Sequence, residues 1–336
     1  MKCDKKIELL SPAGSLDSVK AAINAGCDAV YMGGEKFGAR AYAESVSEGS
    51  IIDAIRLCKE KGVKFYLTIN TLFKQTELKE LFLYIEPFIK EGVDGYIVQD
   101  IGIGKLLKEK YPDIKLHAST QMTITSSYGV KMVENMGYDQ VVLSRELSIY
   151  EIKKIRKESK IKLECFIHGS MCYAYSGACL MSSFIGGQSG NRGRCKGPCR
   201  HGYNIDNDID NKECFILSMK DMCALKDIKN YILMGIDSLK IEGRMRKPIY
   251  VAGVTHIYRK YIDAFYDAKS IEEYDKYCKE NIDGDMEFLK EVYDKGGFTN
   301  YLYKHNGSDM IQMIDRKPRV PDGKILKYIN DNFIDK

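Results

Sequence analysis

Short apolar runs alternate along the chain with amphipathic segments. Several runs follow the pattern glycine, any residue, aspartate, as at Gly26–Asp28 before Ala29 and at Gly92–Asp94 before Gly95. A glycine at this place is typical of a helix that ends on a left-handed residue and turns directly into a strand. Because a parallel strand is covered on both faces, a continuous apolar run suits it. The pattern therefore predicts repeated helix–turn–strand units.

Eight runs fit this description. They are residues 7–14, 29–34, 64–70, 95–100, 115–120, 140–145, 162–169 and 238–243. The segments between the first seven have apolar residues at helical spacing. Eight strands that alternate with helices predict an α/β fold, a (β/α)8 TIM-type barrel, with a doubly wound sheet as the alternative. We expect the barrel to span residues 1–265 and a helical C-terminal extension to span residues 266–336.

A long Cys-rich insertion, residues 170–236, interrupts the alternation between the seventh and eighth strands. Connections of this length are usually functional, and this one leaves the end of a strand at which barrel enzymes carry their chemistry. The insertion contains six of the eleven cysteines: Cys172, Cys179, Cys195, Cys199, Cys214 and Cys223. The other five are predicted to be buried, inert thiols: Cys3, Cys27, Cys58, Cys165 and Cys278.

Four of the insertion cysteines, Cys172, Cys179, Cys195 and Cys199, fall within 28 residues. Thiolates are the ligands that iron–sulfur clusters require, and the many glycines between them let the chain wrap around a centre. The spacing lacks the C-x2-C pair of structural zinc sites. We therefore predict an iron–sulfur centre on these four thiols. If the loop folds back, Cys214 or Cys223 could replace Cys199.

The segment around these thiols is basic. No aspartate or glutamate occurs from Cys165 to Ile205, whereas four cations do: Arg192, Arg194, Lys196 and Arg200. Such cations offset the charge of a thiolate cluster, or bind an anionic substrate or RNA phosphates. A solvated basic loop is the alternative. The net charge of +4 is too small to indicate nucleic acid by itself. The arginines at 192, 194 and 200 are candidate substrate-binding residues.

Polar side chains near the strand ends supply further candidates. Alternation predicts that Glu164 and His168 share one face of the seventh strand, and that Lys240, Glu242 and Arg244 share one face of the eighth. A buried carboxylate between cations can position a substrate or transfer a proton, although salt bridges inside a barrel can also be purely structural. We take these five as candidate catalytic residues. Other strand ends add three candidate substrate-binding residues: Asn70, Gln121 and Arg145.

Several classes of protein are excluded at this stage. No signal peptide and no membrane-spanning apolar stretch are visible, so we expect a cytoplasmic protein that does not contact a membrane. An odd number of cysteines in such a chain argues against a disulfide framework. The standard motifs of zinc peptidases (HExxH), serine hydrolases (GxSxG) and P-loop nucleotide-binding proteins do not occur.

Residues 164–182, ECFIHGSMCYAYSGACLMS, resemble the signature of the peptidase U32 family, which includes collagenase-like proteases. The segments LLSPAGSLDSVKAAINAGCDAVYMGG, NRGRCKGPCR, SLKIEGRMRKPIYV and GGFTNYL are also similar to that family. The resemblance implies either protein hydrolysis or oxygen-independent hydroxylation of RNA or ubiquinone. Members of the ubiquinone pathway carry a 4Fe–4S cluster on four cysteines, and Cys172, Cys179 and Cys195 match the recurring positions.

The resemblance and the residues together predict an enzyme that hydroxylates a base in tRNA or ribosomal RNA, with a 4Fe–4S cluster as cofactor. The family resemblance also makes prephenate a candidate hydroxyl donor. One alternative is a peptidase in which Cys172 is the nucleophile and His168 the base. Another alternative is a non-catalytic, cluster-bearing scaffold subunit.

Overall fold

The computed structural model describes residues 6–39, 46–204, 214–300, 310–313 and 318–335. Its strands are β1 (Glu8–Ala13), β2 (Ala29–Gly33), β3 (Lys64–Ile69), β4 (Gly95–Val98), β5 (Leu116–Ala118), β6 (Gln140–Val142), β7 (Lys162–Gly169), β8 (Asp221–Cys223), β9 (Ser238–Ile241) and β10 (Phe298–Thr299). All eight predicted runs form strands, and these pair in parallel, each with the next, from β1 to β7. The strand β9 pairs with both β1 and β7 and closes the sheet. The predicted barrel is confirmed, and the doubly wound alternative is wrong.

Most helices pack around the barrel, and a short one lies between Cys179 and Cys195 in the insertion. They are α1 (Leu16–Asn24), α2 (Glu48–Glu60), α3 (Leu78–Glu91), α4 (Ile101–Lys110), α5 (Ser127–Asn135), α6 (Ile149–Glu158), α7 (Met181–Gly186), α8 (Ile228–Met234), α9 (Pro248–Asp267), α10 (Ile271–Val292) and α11 (Gly323–Ile329), followed by a π-helical turn (Asn330–Ile334). Serine hydroxyls accept from the first turns of α1 and α6, at Ser15 and Ser148. The helix α3 is capped by Gly92 at φ 73°, as the pattern of glycine, any residue and aspartate predicts.

Two apolar groups hold the barrel together. Outward-facing strand residues such as Leu9 and Leu67 are fully buried against the helices. A smaller cluster fills the barrel interior and includes Leu10, Tyr31 and Tyr66. Buried polar side chains, among them Gln140, Glu164 and Lys240, occupy the rest of the interior. The candidate site lies beyond them, at the C-terminal ends of the strands.

The strand β8 lies inside the insertion and was not predicted. It pairs antiparallel with the end of β7, where Gly169 is opposite Met222, and β10 pairs in parallel with β8. These pairings tie the insertion and part of the C-terminal segment to the rim of the barrel. The helix α9 ends at Asp267, and α10 packs against it. The division of the chain after residue 265 stays a prediction.

The cysteines outside the insertion largely follow the prediction. Cys27, Cys58 and Cys165 are buried, and Cys278 is partly buried on α10. Burial raises the pKa of Cys58 to about 12, which keeps this thiol protonated and inert. Cys3 lies outside the described residues. Among the helices of the described ranges, none is long and apolar enough to cross a membrane.

Candidate active site at the barrel mouth

A cavity of about 310 Å³ opens at the C-terminal ends of the strands, between the barrel and the insertion. Its walls come from the segments that follow β3, β5, β6, β7 and β9, together with the Cys-rich loop. Among the described residues, four cationic side chains line it, Arg145, Arg200, Lys240 and Arg244, against one carboxylate, Glu242. A largely enclosed space with such an excess of positive charge attracts anionic groups.

Cys172, Cys179, Cys195 and Cys199 all line this cavity. The structure thus brings together the four thiols that the sequence predicts as ligands. Backbone N–H groups donate to two of the sulfurs, from Met181 to Cys179 Sγ at 3.4 Å and from Gly197 to Cys195 Sγ at 3.3 Å. Hydrogen bonds of this kind stabilise and tune bound thiolates.

The alternative fourth ligands lie elsewhere. Cys223 is the last residue of β8 and is buried, with its Sγ 3.6 Å from Tyr258 Oη and 3.7 Å from Met286 Sδ. Cys214 forms an isolated bridge with Tyr203. Neither cysteine lines the thiol cavity. Position therefore favours Cys199 as the fourth thiol.

The four thiols give the cavity a donor set of the kind that iron–sulfur clusters require. In the described ranges, no group of three or more His, Cys, Asp or Glu side chains has the geometry to hold a single metal ion. Burial raises the pKa values of Cys172 and Cys199, and the neighbouring thiols raise both further. Metal binding here would therefore release protons.

Three arginines hold the turn that leads from β7 to Cys172. Arg145 donates to Ser170 O at 2.7 Å, Arg200 donates to Met171 O at 2.5 Å, and Arg246 donates to Ser170 Oγ at 3.0 Å. We call these the arginine clamp. Charged donors make strong hydrogen bonds to backbone carbonyls, so the clamp fixes a segment that lacks regular structure. Arg246 was not predicted as a site residue, although it stands two residues beyond Arg244.

A glycine makes this turn possible. Gly169 has φ 109°, and a Cβ there would lie 2.6 Å from the carbonyl oxygen of Glu242. Only glycine fits such a close approach of two backbones in this conformation. The ends of β7 and β9 therefore pack directly against each other beneath the cavity.

A buried ion pair forms the floor of the cavity. Lys240 donates to Glu164 Oε1 at 2.8 Å, and the amide of Gln140 donates to Glu164 Oε2 at 2.6 Å. Burial raises the pKa of Glu164 and lowers the pKa of Lys240, although each partner opposes the shift of the other. Both directions favour a proton shared within the pair. Because Lys240 also lines the cavity, the pair can exchange a proton with a bound molecule.

Glu242 and Arg244 lie above this pair, as the alternation along β9 predicts. Tyr31 donates to Glu242 Oε2 at 3.3 Å, and Arg145 lies 3.7 Å from the same oxygen. Arg244 is buried and donates to Thr68 Oγ1 at 2.5 Å. These contacts give the side chains fixed orientations at the cavity wall.

The prediction that His168 shares the interior face with Glu164 is wrong. The β7–β9 register shifts between Phe166 and His168, and this bulge turns the imidazole away from the cavity. His168 instead contacts the rings of Tyr250, Tyr258 and Phe298, with Nδ1 3.2 Å from Tyr258 Oη. Burial lowers its pKa to about 3, so the ring is neutral.

The basic residues of the insertion do not all face the thiols. Arg192 forms a bidentate ion pair with Glu77, at 2.5 and 2.9 Å, and also donates to Leu72 O. Arg192 and the exposed Arg194 line a second cavity, of about 560 Å³. Of the four cations noted in the sequence, only Arg200 lines the thiol cavity. The prediction that these basic residues share one surface with the thiols is therefore wrong. The ion pair with Glu77 holds Arg192 at the wall of the second cavity.

Two predicted substrate-binding residues do meet at the cavity. Asn70 follows β3 and Gln121 lies in the turn after β5, and the Asn70 amide donates to Gln121 Oε1 at 2.9 Å. Both side chains line the thiol cavity. They give it an uncharged polar wall that can form directional hydrogen bonds.

Comparison with known proteins gives one family. The model of peptidase family U32 matches residues 14–312. The chain is 38% identical over 270 residues to tRNA hydroxylation protein P1 of Bacillus subtilis, covering 78% of this chain and 64% of the relative. It is also 38% identical over 335 residues to the 23S rRNA 5-hydroxycytidine C2501 synthase of Escherichia coli, covering 98% and 50%. The chain thus spans between half and two thirds of the length of these two relatives.

A third relative is named for a different activity. The chain is 30% identical over 315 residues to a collagenase of Porphyromonas gingivalis, covering 88% of this chain and 73% of the relative. Two named activities, RNA hydroxylation and collagen cleavage, therefore occur among proteins similar to this one.

Proposed function

The chain belongs to peptidase family U32, and on that premise we propose that it is an RNA-modifying enzyme that hydroxylates a base of tRNA or ribosomal RNA without O2. The observation that carries the proposal is the meeting of the four predicted thiols with cationic side chains in one cavity at the barrel mouth. The names of the two relatives at 38% identity support RNA as the substrate. Acting on these RNAs would place the protein in the cytoplasm.

Cys172, Cys179, Cys195 and Cys199 would hold a 4Fe–4S cluster. Such a cluster, when bound, supplies one-electron transfer chemistry next to the substrate. The chain contributes the arginine clamp, which sets the position of Cys172, and Arg200 offsets negative charge at the thiols. The backbone N–H groups at Met181 and Gly197 hold the sulfurs of Cys179 and Cys195.

A small carboxylate such as prephenate would serve as the hydroxyl donor. In the net exchange, a C–H bond of the base becomes C–OH, and a C–OH bond of the donor becomes C–H. The base is oxidised by two electrons and the donor is reduced by two, so O2 is not needed. Arg145 and Arg244 line the cavity and have the planar guanidinium groups that suit carboxylates.

The proton transfers fall to groups that the barrel already fixes. Glu242 can accept a proton from the base or the donor, because it lines the cavity as a hydrogen-bonded carboxylate. The pair of Lys240 and Glu164 can return a proton from the floor, since burial brings their proton affinities together. Both groups are within the barrel and not in the insertion.

The geometry gives little support to a cysteine peptidase. Such an enzyme needs an imidazole next to the nucleophile. His168 is turned towards Tyr258, and the described residues that line the cavity include no histidine. Within the described part of the chain, Cys172 therefore has no imidazole beside it in the cavity that could act as the base of a peptidase.

Mass spectrometry of nucleosides tests the proposal. RNA from a strain that lacks the gene should lose one hydroxylated pyrimidine nucleoside in tRNA or ribosomal RNA, and the wild-type gene should restore it. Cys172→Ala should fail to restore it. Cys278→Ala is the matched control, because that thiol lies on α10 outside the cavity, and it should restore the nucleoside fully. Unchanged RNA in the deletion strain would contradict the proposal.

A further inference from the structure

Lys240 is a buried amine that opens onto the thiol cavity. Its side chain is only 4% exposed, yet it lines the cavity together with Arg145 and Arg244. The Nζ lies 4.3 Å from the centroid of the Tyr31 ring and 5.4 Å from that of the Phe166 ring. Such an apolar setting disfavours a charged amine, and burial lowers the pKa of Lys240. A lysine of this kind can act as a nucleophile, whereas an exposed lysine stays protonated.

The partner of this amine can take up its proton. Glu164 is fully buried and accepts a hydrogen bond from Lys240 at 2.8 Å and another from Gln140 at 2.6 Å. Burial raises the pKa of Glu164, so the neutral form of the pair, an amine beside a carboxylic acid, is accessible. Both partners stay hydrogen-bonded in that form, because the acid then donates to Lys240 Nζ. The floor of the cavity can thus hold an uncharged nucleophile and an acid side by side.

Two arginines share the aromatic rings that flank this amine. Arg145 Cζ lies 4.0 Å from the centroid of the Phe166 ring, and Arg244 Cζ lies 5.8 Å from that of the Tyr31 ring. The Nε of Arg145 is buried and has no hydrogen-bond partner among the described residues. Guanidinium groups suit carboxylates. A ligand whose carboxylate binds the arginines can therefore place its next carbon beside Lys240 Nζ.

We propose that Lys240 binds a 2-oxo carboxylate covalently, as a protonated imine. The proposal rests on the proposed function for the role of this ligand, which is the hydroxyl donor; prephenate contains a 2-oxo carboxylate group. The lone pair of Nζ attacks the 2-oxo carbon, and the C=O bond is replaced by C=N. Of the two amine protons and the Glu164 proton, one stays on nitrogen and two leave with the carbonyl oxygen as water. The pair ends as an iminium cation beside the Glu164 carboxylate.

Trapping with sodium cyanoborohydride tests the proposal without measuring RNA modification. Anaerobically purified protein is incubated with the reductant and either pyruvate or the larger phenylpyruvate. The reductant turns an imine into a stable secondary amine, and peptide mass spectrometry identifies the modified lysine. We expect Lys240 to be modified at least roughly tenfold faster than Lys105, which is 73% exposed, because only a neutral amine attacks a carbonyl. Lactate, which has no carbonyl group at that carbon, should give no adduct.

Variants of the lysine and of one arginine sharpen the test. Lys240→Met should abolish the adduct at this position, and Lys105→Met is the matched control that should leave the adduct on Lys240 unchanged. Arg244→Gln should raise the pyruvate concentration for half-maximal trapping by roughly tenfold, because it removes a charged donor to the carboxylate. Trapping of acetaldehyde, which has no carboxylate, should be affected much less. Retained far-UV circular dichroism shows that each variant is folded.

The outcomes separate this inference from the proposed function. If pyruvate or phenylpyruvate is trapped on Lys240 but no hydroxylated nucleoside depends on the gene, the covalent site stands and the proposed function fails. If the nucleoside depends on the gene, but neither compound modifies Lys240 faster than Lys105, the inference is overturned and the proposed function stands. Equal loss of pyruvate and acetaldehyde trapping in Arg244→Gln would overturn the part of the inference that concerns the carboxylate.

Discussion

The barrel wall and the Cys-rich insertion are built on different principles. The wall consists of parallel strands whose side chains are buried on both faces, as at Leu67. The insertion has mostly short helical turns, and the arginine clamp holds its first residues with Arg145 and Arg246 from the barrel and Arg200 from the insertion itself. Apolar burial therefore stabilises the fold, while a few charged hydrogen bonds position the thiols. Substitutions in the two regions should separate the stability of the fold from the position of the thiols.

The largest expected difference is between two leucines. Leu67→Ala in β3 removes a fully buried side chain and should lower the free energy of unfolding by about 2–5 kcal/mol. Leu180→Ala in the insertion, 56% exposed, should change it by less than about 0.5 kcal/mol. Urea denaturation followed by circular dichroism measures both. Equal losses would contradict the division between the two regions.

A smaller, local effect is expected in the clamp. Arg200→Gln leaves the carbonyls of Met171 and Met219 without their charged donor, at a cost of about 1–3 kcal/mol for the segment. Hydrogen exchange should become faster in residues 170–200 but not in the barrel strands. Alkylation of Cys172 in metal-free protein should also become faster. Arg56→Gln, which removes an exposed ion pair with Glu91, is the control and should change neither rate. Faster exchange throughout the barrel would show that the clamp also supports the wall.

The barrel interior should respond to acid through His117. Burial lowers the pKa of His117 to about 3, against about 6.5 in the unfolded chain, so the folded state resists protonation. The stability from this residue is complete above pH 6.5 and is lost as the pH falls from there towards 3. The loss should reach about 1.4 kcal/mol at pH 5.5. Wild type should therefore lose more stability between pH 7.5 and 5.5 than His117→Leu, whereas exposed His201→Gln should behave as wild type. Parallel pH curves for wild type and His117→Leu would contradict this assignment.

The smallest effect is expected at the second cavity. The hydrogen bonds from Arg192 lower the pKa of Glu77, but the pair is partly exposed. Glu77→Gln should reduce the free energy of unfolding by less than about 1 kcal/mol. The yield of hydroxylated nucleoside should stay close to that of wild type, because the pair lies outside the thiol cavity. A yield as low as that of Cys172→Ala would place the second cavity in the reaction.

The sequence predicted the barrel wall well and the insertion only in part. Strands β1 to β7 and β9 could be predicted because a strand that is buried on both faces is apolar along its length. The four thiols were predictable because their spacing and residue type are rare together. The bulge that turns His168 outwards was not predictable, since a shift of one residue in register leaves no mark on composition. The pairing of Arg192 with Glu77 joins residues far apart in the sequence and depends on the completed fold.

Iron and acid-labile sulfide analysis of anaerobically purified protein tests the central claim most directly. If Cys172, Cys179, Cys195 and Cys199 bind one cluster, wild type should contain about four irons and four sulfides per chain. Cys199→Ala should lose most of both, and Cys214→Ala should retain them, because only Cys199 of these two lines the cavity. Wild-type protein without sulfide, or equal loss in the two variants, would contradict the account.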